Sequence, residues 1–206
     1  MGAGSSWALL EERLTRAASP GIRPGLARLS RLLGLLEHPE RVVPAVHVVG
    51  TNGKGSTCAF FDAMLRAQGY RTALYTSPHL ESPGQRLSLD GTHLSPEEWE
   101  RGAEELWGVL GRDQRLREDP PTFFELVTAL VFCLLRTHAP DVVVLDMMLP
   151  KKSGFLVMER IRQRRERMKS KRPYVIMCTG NPGQRHKDYA KSLGVNDYIN
   201  KPFRME

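Results

Sequence analysis

The sequence predicts an α/β fold: a single three-layer sandwich around a five-stranded, mainly parallel sheet, with a phosphate-binding loop after the first strand and extra helices at the N-terminus. Short apolar runs rich in β-branched residues alternate with segments of helical periodicity, which is typical of parallel sheets covered by helices. A glycine-rich turn directly follows the first of these runs. The chain has 206 residues, 41% of them apolar and 26% charged, so it is long enough to bury a core.

The N-terminal part is predicted to be helical. A first helix is expected from Ser6 to Ala18, because Ser5 or Ser6 can cap it and Pro20 follows it. A second helix is expected after Pro24, where leucines recur at helical spacing. Its apolar face comprises Leu26, Leu29, Leu32, Leu33 and Leu36.

The rest of the chain alternates between predicted strands and predicted helices. The strands are expected at 45–50, 71–75, 141–145, 174–178 and 197–200. The helices are expected at 57–68, from Ser95 onward, at 122–137, at 154–167 and at 184–193. Residues 76–94 and 112–121 are predicted to be loops, and the first is long enough to suggest a functional reason. This alternation implies one parallel sheet with helices on both faces.

The charge is unevenly spread along the chain. The formal net charge is +7, but residues 1–150 hold 15 basic and 18 acidic side chains, whereas residues 151–206 hold 15 and 5. This asymmetry suggests either two origins or a nucleic-acid surface. The basic excess is concentrated in residues 160–172 without interleaved aromatic residues, so a solvated basic face is favoured and no nucleic-acid partner is expected.

Cysteine usage and hydropathy point to the cytoplasm. Cys58, Cys133 and Cys178 lie far apart in apolar runs, which predicts buried thiols rather than a metal site or a disulfide framework. The first six residues do not resemble a signal peptide. The longest apolar run, 126–135, is too short to cross a bilayer, so no membrane partner is expected.

The glycine loop, residues 50–57 (GTNGKGST), lies between a predicted buried strand and a predicted helix. Glycines let backbone N–H groups point into one concavity, and a helix N-terminus adds positive partial charge, so the segment suits a phosphate group. Lys54 can reach terminal phosphates, and the hydroxyl of Ser56 or Thr57 can face a metal ion. The spacing departs from G-x-x-x-x-G-K-[ST], and a generic glycine turn is the alternative. The candidate nucleotide-binding residues are Thr51, Asn52, Gly53, Lys54, Gly55, Ser56 and Thr57.

Four ordered motifs carry a resemblance to a known family. They are GTNGKGS at 50–56, YTSPHL at 75–80, QRLSLDG at 85–91 and TFFELVTA at 122–129, after an opening helix that begins PGL at 24–26. Residues 6–140 therefore resemble the start of folylpolyglutamate synthase, a member of the Mur ligase superfamily. The resemblance implies ATP and magnesium as cofactors, with activation of a folate carboxylate as an acyl phosphate that a glutamate amine then attacks.

The same resemblance implies a magnesium site formed by Ser77 and Glu125 beside the γ-phosphate. A hydroxyl and a carboxylate are oxygen ligands of the kind magnesium prefers. The alternative for Glu125 is an exposed helical acid, but its neighbours Phe124 and Leu126 are apolar, and an unpaired charge among them would be costly. His79 is expected to be an ordinary loop histidine.

The residue pattern that resembles the synthase ends at Pro140. Asp146 begins the segment DMMLPKKSG, Thr179 ends a later predicted strand, and Lys201 begins KPF after the last one. Residues 141–206 therefore resemble the second half of a response-regulator receiver domain. The resemblance implies that Asp146 is the phosphoacceptor, that Thr179 is the switch hydroxyl and that Lys201 contacts the phosphate.

The receiver-like half is expected to lack a working phosphorylation site. Receivers hold magnesium largely through a pair of acids just after their first strand, whereas the glycine loop in this position contains no acid. The sequence also ends four residues after Pro202, before the receiver's final helix. Phosphorylation of Asp146 is therefore expected to be weak or absent.

Together these observations predict one composite domain over 1–206, formed by a synthase-like segment 1–140 and a receiver-like segment 141–206. The two resemblances imply parents joined at an equivalent strand, which favours an engineered chimera without a complete catalytic site that binds ATP or a phosphate ion. Asp146 is a further candidate acid near the magnesium. The alternatives are a residual Mg-ATP hydrolase or ligase-derived enzyme and a phospho-accepting signalling module at Asp146. Monomer and dimer both stay open.

Overall fold

The computed structural model describes residues 3–21, 23–48, 53–146, 176–179, 184–192, 195 and 197–200. The helices are α1 (Ala3–Ala17), α2 (Ala27–Leu35), α3 (Lys54–Ala67), α4 (Pro96–Arg112), α5 (Gln114–Glu118), α6 (Phe123–His138) and α7 (Gln184–Ser192). The strands are β1 (Ala45–Val48), β2 (Thr72–Tyr75), β3 (Leu87–Leu89), β4 (Thr92–His93), β5 (Val142–Asp146), β6 (Ile176–Thr179) and β7 (Asp197–Asn200). Short 3-10 helices lie at Pro39–Arg41 and Pro83–Arg86. The helix predicted at 154–167 lies outside the described residues.

The main sheet has five strands in the order β1-β5-β2-β3-β4. β5 runs parallel to both of its neighbours, with Val144 opposite Val46 of β1 on one side and Leu74 of β2 on the other. β3 and β4 are antiparallel additions at the β2 edge. The α/β fold class and the five-stranded sheet are thus confirmed, and the sheet is mixed.

The hairpin β3–β4 corrects the prediction that 76–94 is a loop. Asp90 and Gly91 connect the two strands, and both have positive φ, 49° and 80°. A two-residue Asp-Gly turn with positive φ at both positions is a strong hairpin signal, so the information was present in the sequence. The backbone N–H of Asp90 donates to the Thr72 carbonyl (2.9 Å), which ties the turn to β2.

β6 and β7 do not join the main sheet within the described residues, where they form a separate parallel pair. The expectation that 174–178 and 197–200 extend the sheet of 141–145 is therefore wrong for this part of the chain. The reason is steric: β1 and β2 occupy both edges of β5, so no edge of β5 is left for β6. The five strands of the main sheet come instead from residues 45–146.

Helices cover both faces of the central strands. Val143 packs in a core formed with the apolar faces of α1, α2, α4 and α6. Val144 points to the opposite face, because successive side chains alternate along a strand, and it is fully buried there. α3, which packs on β1, β2 and β5, accounts for that burial. Two covered faces around one sheet agree with the predicted three layers.

α6 is the central helix of the larger core. Its side chains from Leu126 to Val131 are all buried, which matches its nearly continuous apolar sequence. α4 approaches it so closely at Gly102 that an added Cβ would lie 2.5 Å from the Leu134 side chain. Cys133 is buried in this core, and burial raises the pKa of its thiol to about 11. Cys58 is also buried, so the prediction is confirmed for both thiols, while the Cys178 side chain lies outside the description.

Within the described residues, no helix is both long enough and apolar enough to cross a membrane.

α5 lies inside the predicted loop 112–121 and depends on one acidic side chain. Asp113 caps α5 by accepting from the N–H of Leu116 (2.9 Å). Arg31 of α2 donates to both carboxylate oxygens of Asp113, at 2.9 and 2.5 Å. The Arg31 hydrogen bonds, followed by the Leu116 N–H, lower the pKa of Asp113 to about 2.

Replacing Arg31 with glutamine should raise the pKa of Asp113 from about 2 toward the ordinary value of 3.8. Because the folded-state pKa is depressed, this ion pair stabilises the fold above pH 3.8, and the contribution is lost as the pH falls toward 2. A pH titration of the Asp113 carboxyl carbon by NMR measures the shift. Arg16→Gln is the control, since Arg16 pairs with Glu12 instead. Equal Asp113 pKa values in the two variants would show that Arg31 does not cause the low pKa of Asp113.

Candidate functional site

The three parallel strands bring the predicted site segments to one edge of the sheet. The carboxyl ends of parallel strands meet at the same edge, where ligands of open α/β sheets bind. Val48, the last residue of β1 before the glycine loop, is paired with Asp146 at the end of β5. Tyr75, which is followed by Thr76 and Ser77, is paired with Leu145. The glycine loop, Asp146 and the Ser77 segment therefore share this edge.

The glycine loop continues directly into α3, which begins at Lys54, three residues earlier than predicted. Gly53 precedes it in the left-handed conformation, with φ 71° and ψ 13°. Lys54 is the first helical residue and is only 9% exposed. Thr51 and Asn52 lie outside the described residues. A helix N-terminus with a lysine at its first position, directly after a strand and a glycine loop, is an arrangement that favours anions such as phosphate.

The two hydroxyl candidates of the loop differ in their contacts. The Thr57 hydroxyl donates to the Gly53 carbonyl at 2.8 Å, so its proton is used within the first turn of α3. Its oxygen keeps lone pairs that can accept or coordinate. Ser56 and Gly55 are exposed beside it. Ser56 is therefore accessible to solvent in the first turn of α3.

The Ser77 segment is attached to α6 through a buried arginine. The N–H of Thr76 donates to the Arg86 carbonyl (2.8 Å), and the Arg86 Nε donates to His79 Nδ1 (2.8 Å). The Arg86 guanidinium also lies over the ring of Phe123, 5.8 Å from its centre, at the start of α6. Ser77 itself is half-buried. These contacts hold the segment next to the N-terminus of α6.

His79 is part of this attachment and not an ordinary loop histidine. Its Nδ1 accepts from Arg86, so the neutral ring carries its proton on Nε2, which lies 3.7 Å from Glu11. Burial, and then the charge of Arg86, lower the pKa of His79.

Glu125 is not the exposed helical acid of the alternative interpretation, since it is 5% exposed and already has partners. It forms a capping box with Thr122, whose N–H and hydroxyl donate to Oε2 at 2.7 and 3.0 Å. The Arg28 Nε of α2 donates to the same oxygen at 3.1 Å. Oε1 is buried and has no hydrogen-bond partner among the described residues. Oε2 thus accepts three hydrogen bonds, while Oε1 is bare, that is, it accepts none from the described residues.

A bare, buried carboxylate oxygen fits a cation ligand, because such a group is costly unless something binds it. Within the described residues, no group of three or more His, Cys, Asp or Glu side chains could hold a metal by itself. Magnesium commonly binds through one or two protein oxygens together with substrate phosphates and water. The donor set of Ser77 and Glu125 therefore suits a metal that arrives with phosphates.

Within the described residues, the strands that end at Asp146 and Thr179 are not paired as they are in a receiver. In the receiver strand order 2-1-3-4-5, the third strand lies next to the fourth. Here β5, which ends at Asp146, lies between β1 and β2, while Thr179 ends β6 in the other sheet. The part of the chain that the structure describes does not include the side chains of Asp146 and Thr179 or any of Lys201.

Sequence reasoning missed three residues that hold the site together: Arg28, Arg86 and Thr122. The Thr122-x-x-Glu125 spacing is a capping-box signature that could have identified Thr122. Arg28 and Arg86 act over long sequence separations, 97 residues in the case of Arg28 and Glu125, and no local pattern marks them.

Two groups of known proteins match different parts of this chain. The dihydrofolate synthase/folylpolyglutamate synthase of Bacillus subtilis is 37% identical over 127 residues, which cover 61% of this chain and 30% of that protein. The model of the response regulator receiver domain matches residues 127–206. This chain resembles two protein families. The receiver match begins inside α6, before the junction predicted near Pro140.

Solved structures of folylpolyglutamate synthases share the fold of nearly the whole chain. The Thermotoga maritima enzyme superposes with a TM-score of 0.74 at 23% identity, covering 96% of this chain and 50% of that one. A bifunctional folylpolyglutamate synthase/dihydrofolate synthase from Yersinia pestis, complexed with AMPPNP and Mn ion, has a TM-score of 0.66 at 24% identity, covering 98% and 53%. The chain therefore spans about half the length of these structures.

Alanine at position 53 should destabilise the protein, because Gly53 has a φ of 71° and a side chain in that region costs about 1–2 kcal/mol. Gly111→Ala is a matched control in α4, where an added Cβ meets nothing within 4 Å. It should stabilise by about 0.5–1 kcal/mol, as alanine does within a helix. Urea unfolding gives both free energies. A Gly53→Ala variant as stable as wild type would show that the loop does not require the left-handed conformation.

Proposed function

We propose that this chain binds the phosphates of Mg-ATP at the carboxyl edge of its parallel strands. One observation carries the proposal: β1 is followed by a left-handed Gly53 and then by Lys54 at the first position of α3. The Ser77 segment lies at the same edge of the sheet. The 37% identity to the Bacillus synthase and the complex of the Yersinia protein with AMPPNP and Mn ion support it.

The proposed roles follow from the position of each group. Backbone N–H groups of residues 51–56 surround the phosphates, Lys54 contacts the terminal ones, and Ser56 or Thr57 faces the metal. Ser77 and the Oε1 of Glu125 hold magnesium, with Asp146 as an additional acid at the end of β5. When bound, magnesium neutralises phosphate charge and polarises a phosphoryl oxygen.

We further propose that the chain is an engineered chimera without a complete catalytic site. The matches to two families, of which the receiver match begins within α6, support a joined origin. The separation of β6 from β5, together with the absence of acids from the glycine loop, argues against phosphorylation of Asp146. Binding without turnover is therefore the function that these features favour.

Wild-type protein should bind ATP in the presence of magnesium, and Lys54→Ala should weaken binding at least about tenfold because a charge-assisted phosphate contact is lost. Isothermal titration calorimetry measures both constants. Lys191→Ala is the control, since Lys191 is exposed at the end of α7. The absence of heat with the wild type would remove the proposal, and ADP formation at a steady rate would favour a residual hydrolase instead.

The two segments are proposed to form one domain over 1–206, and this predicts a single unfolding transition. All three tryptophans, Trp7, Trp99 and Trp107, lie in the synthase-like segment and report on it by fluorescence. Hydrogen exchange of peptides that contain β6 and β7 reports on the receiver-like segment. The two probes should give the same urea midpoint, whereas earlier loss of protection in β6 and β7 would show two independent units.

A further inference from the structure

Arg28 is a cation placed directly behind the proposed magnesium ligand. It lies in α2, its side chain is 11% exposed, and its Nε donates to Glu125 Oε2 at 3.1 Å. Its Nη2 donates to the Arg23 carbonyl at 3.0 Å, which fixes the far end of the guanidinium. The only other carboxylate within 4 Å of it among the described residues is Asp119, at 3.7 Å and half exposed. Glu125 is therefore its principal counter-ion.

This contact has two opposite effects on a metal at Oε1. The hydrogen bond holds the carboxylate in one orientation, together with the N–H and hydroxyl of Thr122. The positive charge of Arg28 also repels a second cation only one carboxylate away. Because the two donors of Thr122 already orient the carboxylate, the repulsion is the larger contribution of Arg28. The net effect is to weaken the attraction of Glu125 for a divalent cation.

Arg28 and Glu125 carry opposite charges, which cancel next to the proposed metal site. Glu125 contributes one negative charge, and Arg28, its ion-pair partner, contributes one positive charge. Ser77 supplies a neutral oxygen. A free divalent cation therefore meets no net negative charge, although the bare Oε1 offers it one ligand. The phosphates of a nucleotide supply the missing negative charge.

We propose that Arg28 makes this site select a metal–nucleotide complex over the free divalent cation. The inference rests on the proposed nucleotide function and goes beyond it by assigning selectivity to a residue that touches neither the metal nor the phosphates. Arg28 is a specificity-determining residue that acts through Glu125. Its removal leaves the site negatively charged and able to bind a bare cation.

The test uses Mn²⁺ as the probe, with the full chain and no nucleotide, and counts bound ion by electron paramagnetic resonance. Wild type should bind free Mn²⁺ at least about a hundredfold more weakly than Mn-ATP. Arg28→Gln should bind free Mn²⁺ at least about tenfold more tightly than wild type. Arg28→Lys, which keeps the charge, should remain weak, and Arg28→Gln combined with Glu125→Gln should lose the gain.

Arg31→Gln is the matched control, because Arg31 lies one turn further along α2 and pairs with Asp113 instead of Glu125. It should leave Mn²⁺ binding unchanged. Equal affinity of Arg28→Gln and wild type for free Mn²⁺ overturns the inference, as does a wild type that binds free Mn²⁺ as tightly as Mn-ATP. The second measurement does not depend on the folding of any variant. If Mn-ATP binds while these selectivities are absent, only this inference fails; if Mn-ATP does not bind, the proposed function fails first.

Discussion

The parallel pairing of β5 with β1 on one side and β2 on the other is the constraint on which the rest of the structure depends. Val142–Leu145 is apolar throughout, as a strand must be when helices cover both faces. Its central position sets the carboxyl ends of three strands side by side, which places the glycine loop, Asp146 and the Ser77 segment at one edge. The same pairing leaves no edge of β5 for β6.

Glu125 connects the stability of α6 with the chemistry of the site. Burial of an ionised carboxylate is costly unless donors compensate it, and Thr122 and Arg28 provide three donors to a single oxygen. This arrangement caps the central helix of the core, so the carboxylate is held in place without a metal. Because every donor lies on Oε2, the other oxygen remains available as a ligand. A structural cap and a metal ligand are therefore compatible in one side chain.

Much of the fold could be predicted because its signals are local. The apolar runs of β1, β2 and β5 and the leucine periodicity of α2 each identify an element from a few neighbouring residues. The Asp90-Gly91 turn was an equally local signal that the loop prediction overlooked. Strand order was not accessible in this way, because the choice between β1 and β6 as a neighbour of β5 depends on the whole sheet. The contact between Arg28 and Glu125 could not be predicted for the same reason, since it joins two helices that are far apart in the sequence.

The position of the receiver match indicates that the site to which a strand contributes is decided by its neighbouring strands and not by its own sequence. The match begins at residue 127, so the receiver pattern includes all of β5 and also most of α6, which lies within the synthase-like segment 1–140. A helix followed by a buried strand that ends in an acid carries no information about which parent it came from. The flanking strands β1 and β2 both belong to the synthase-like segment, and they place the end of β5 at the edge where the nucleotide site is proposed. Asp146 thus ends a strand that pairs with β1 and not, within the described residues, with the strand of Thr179, although its local sequence resembles that of a phosphoacceptor.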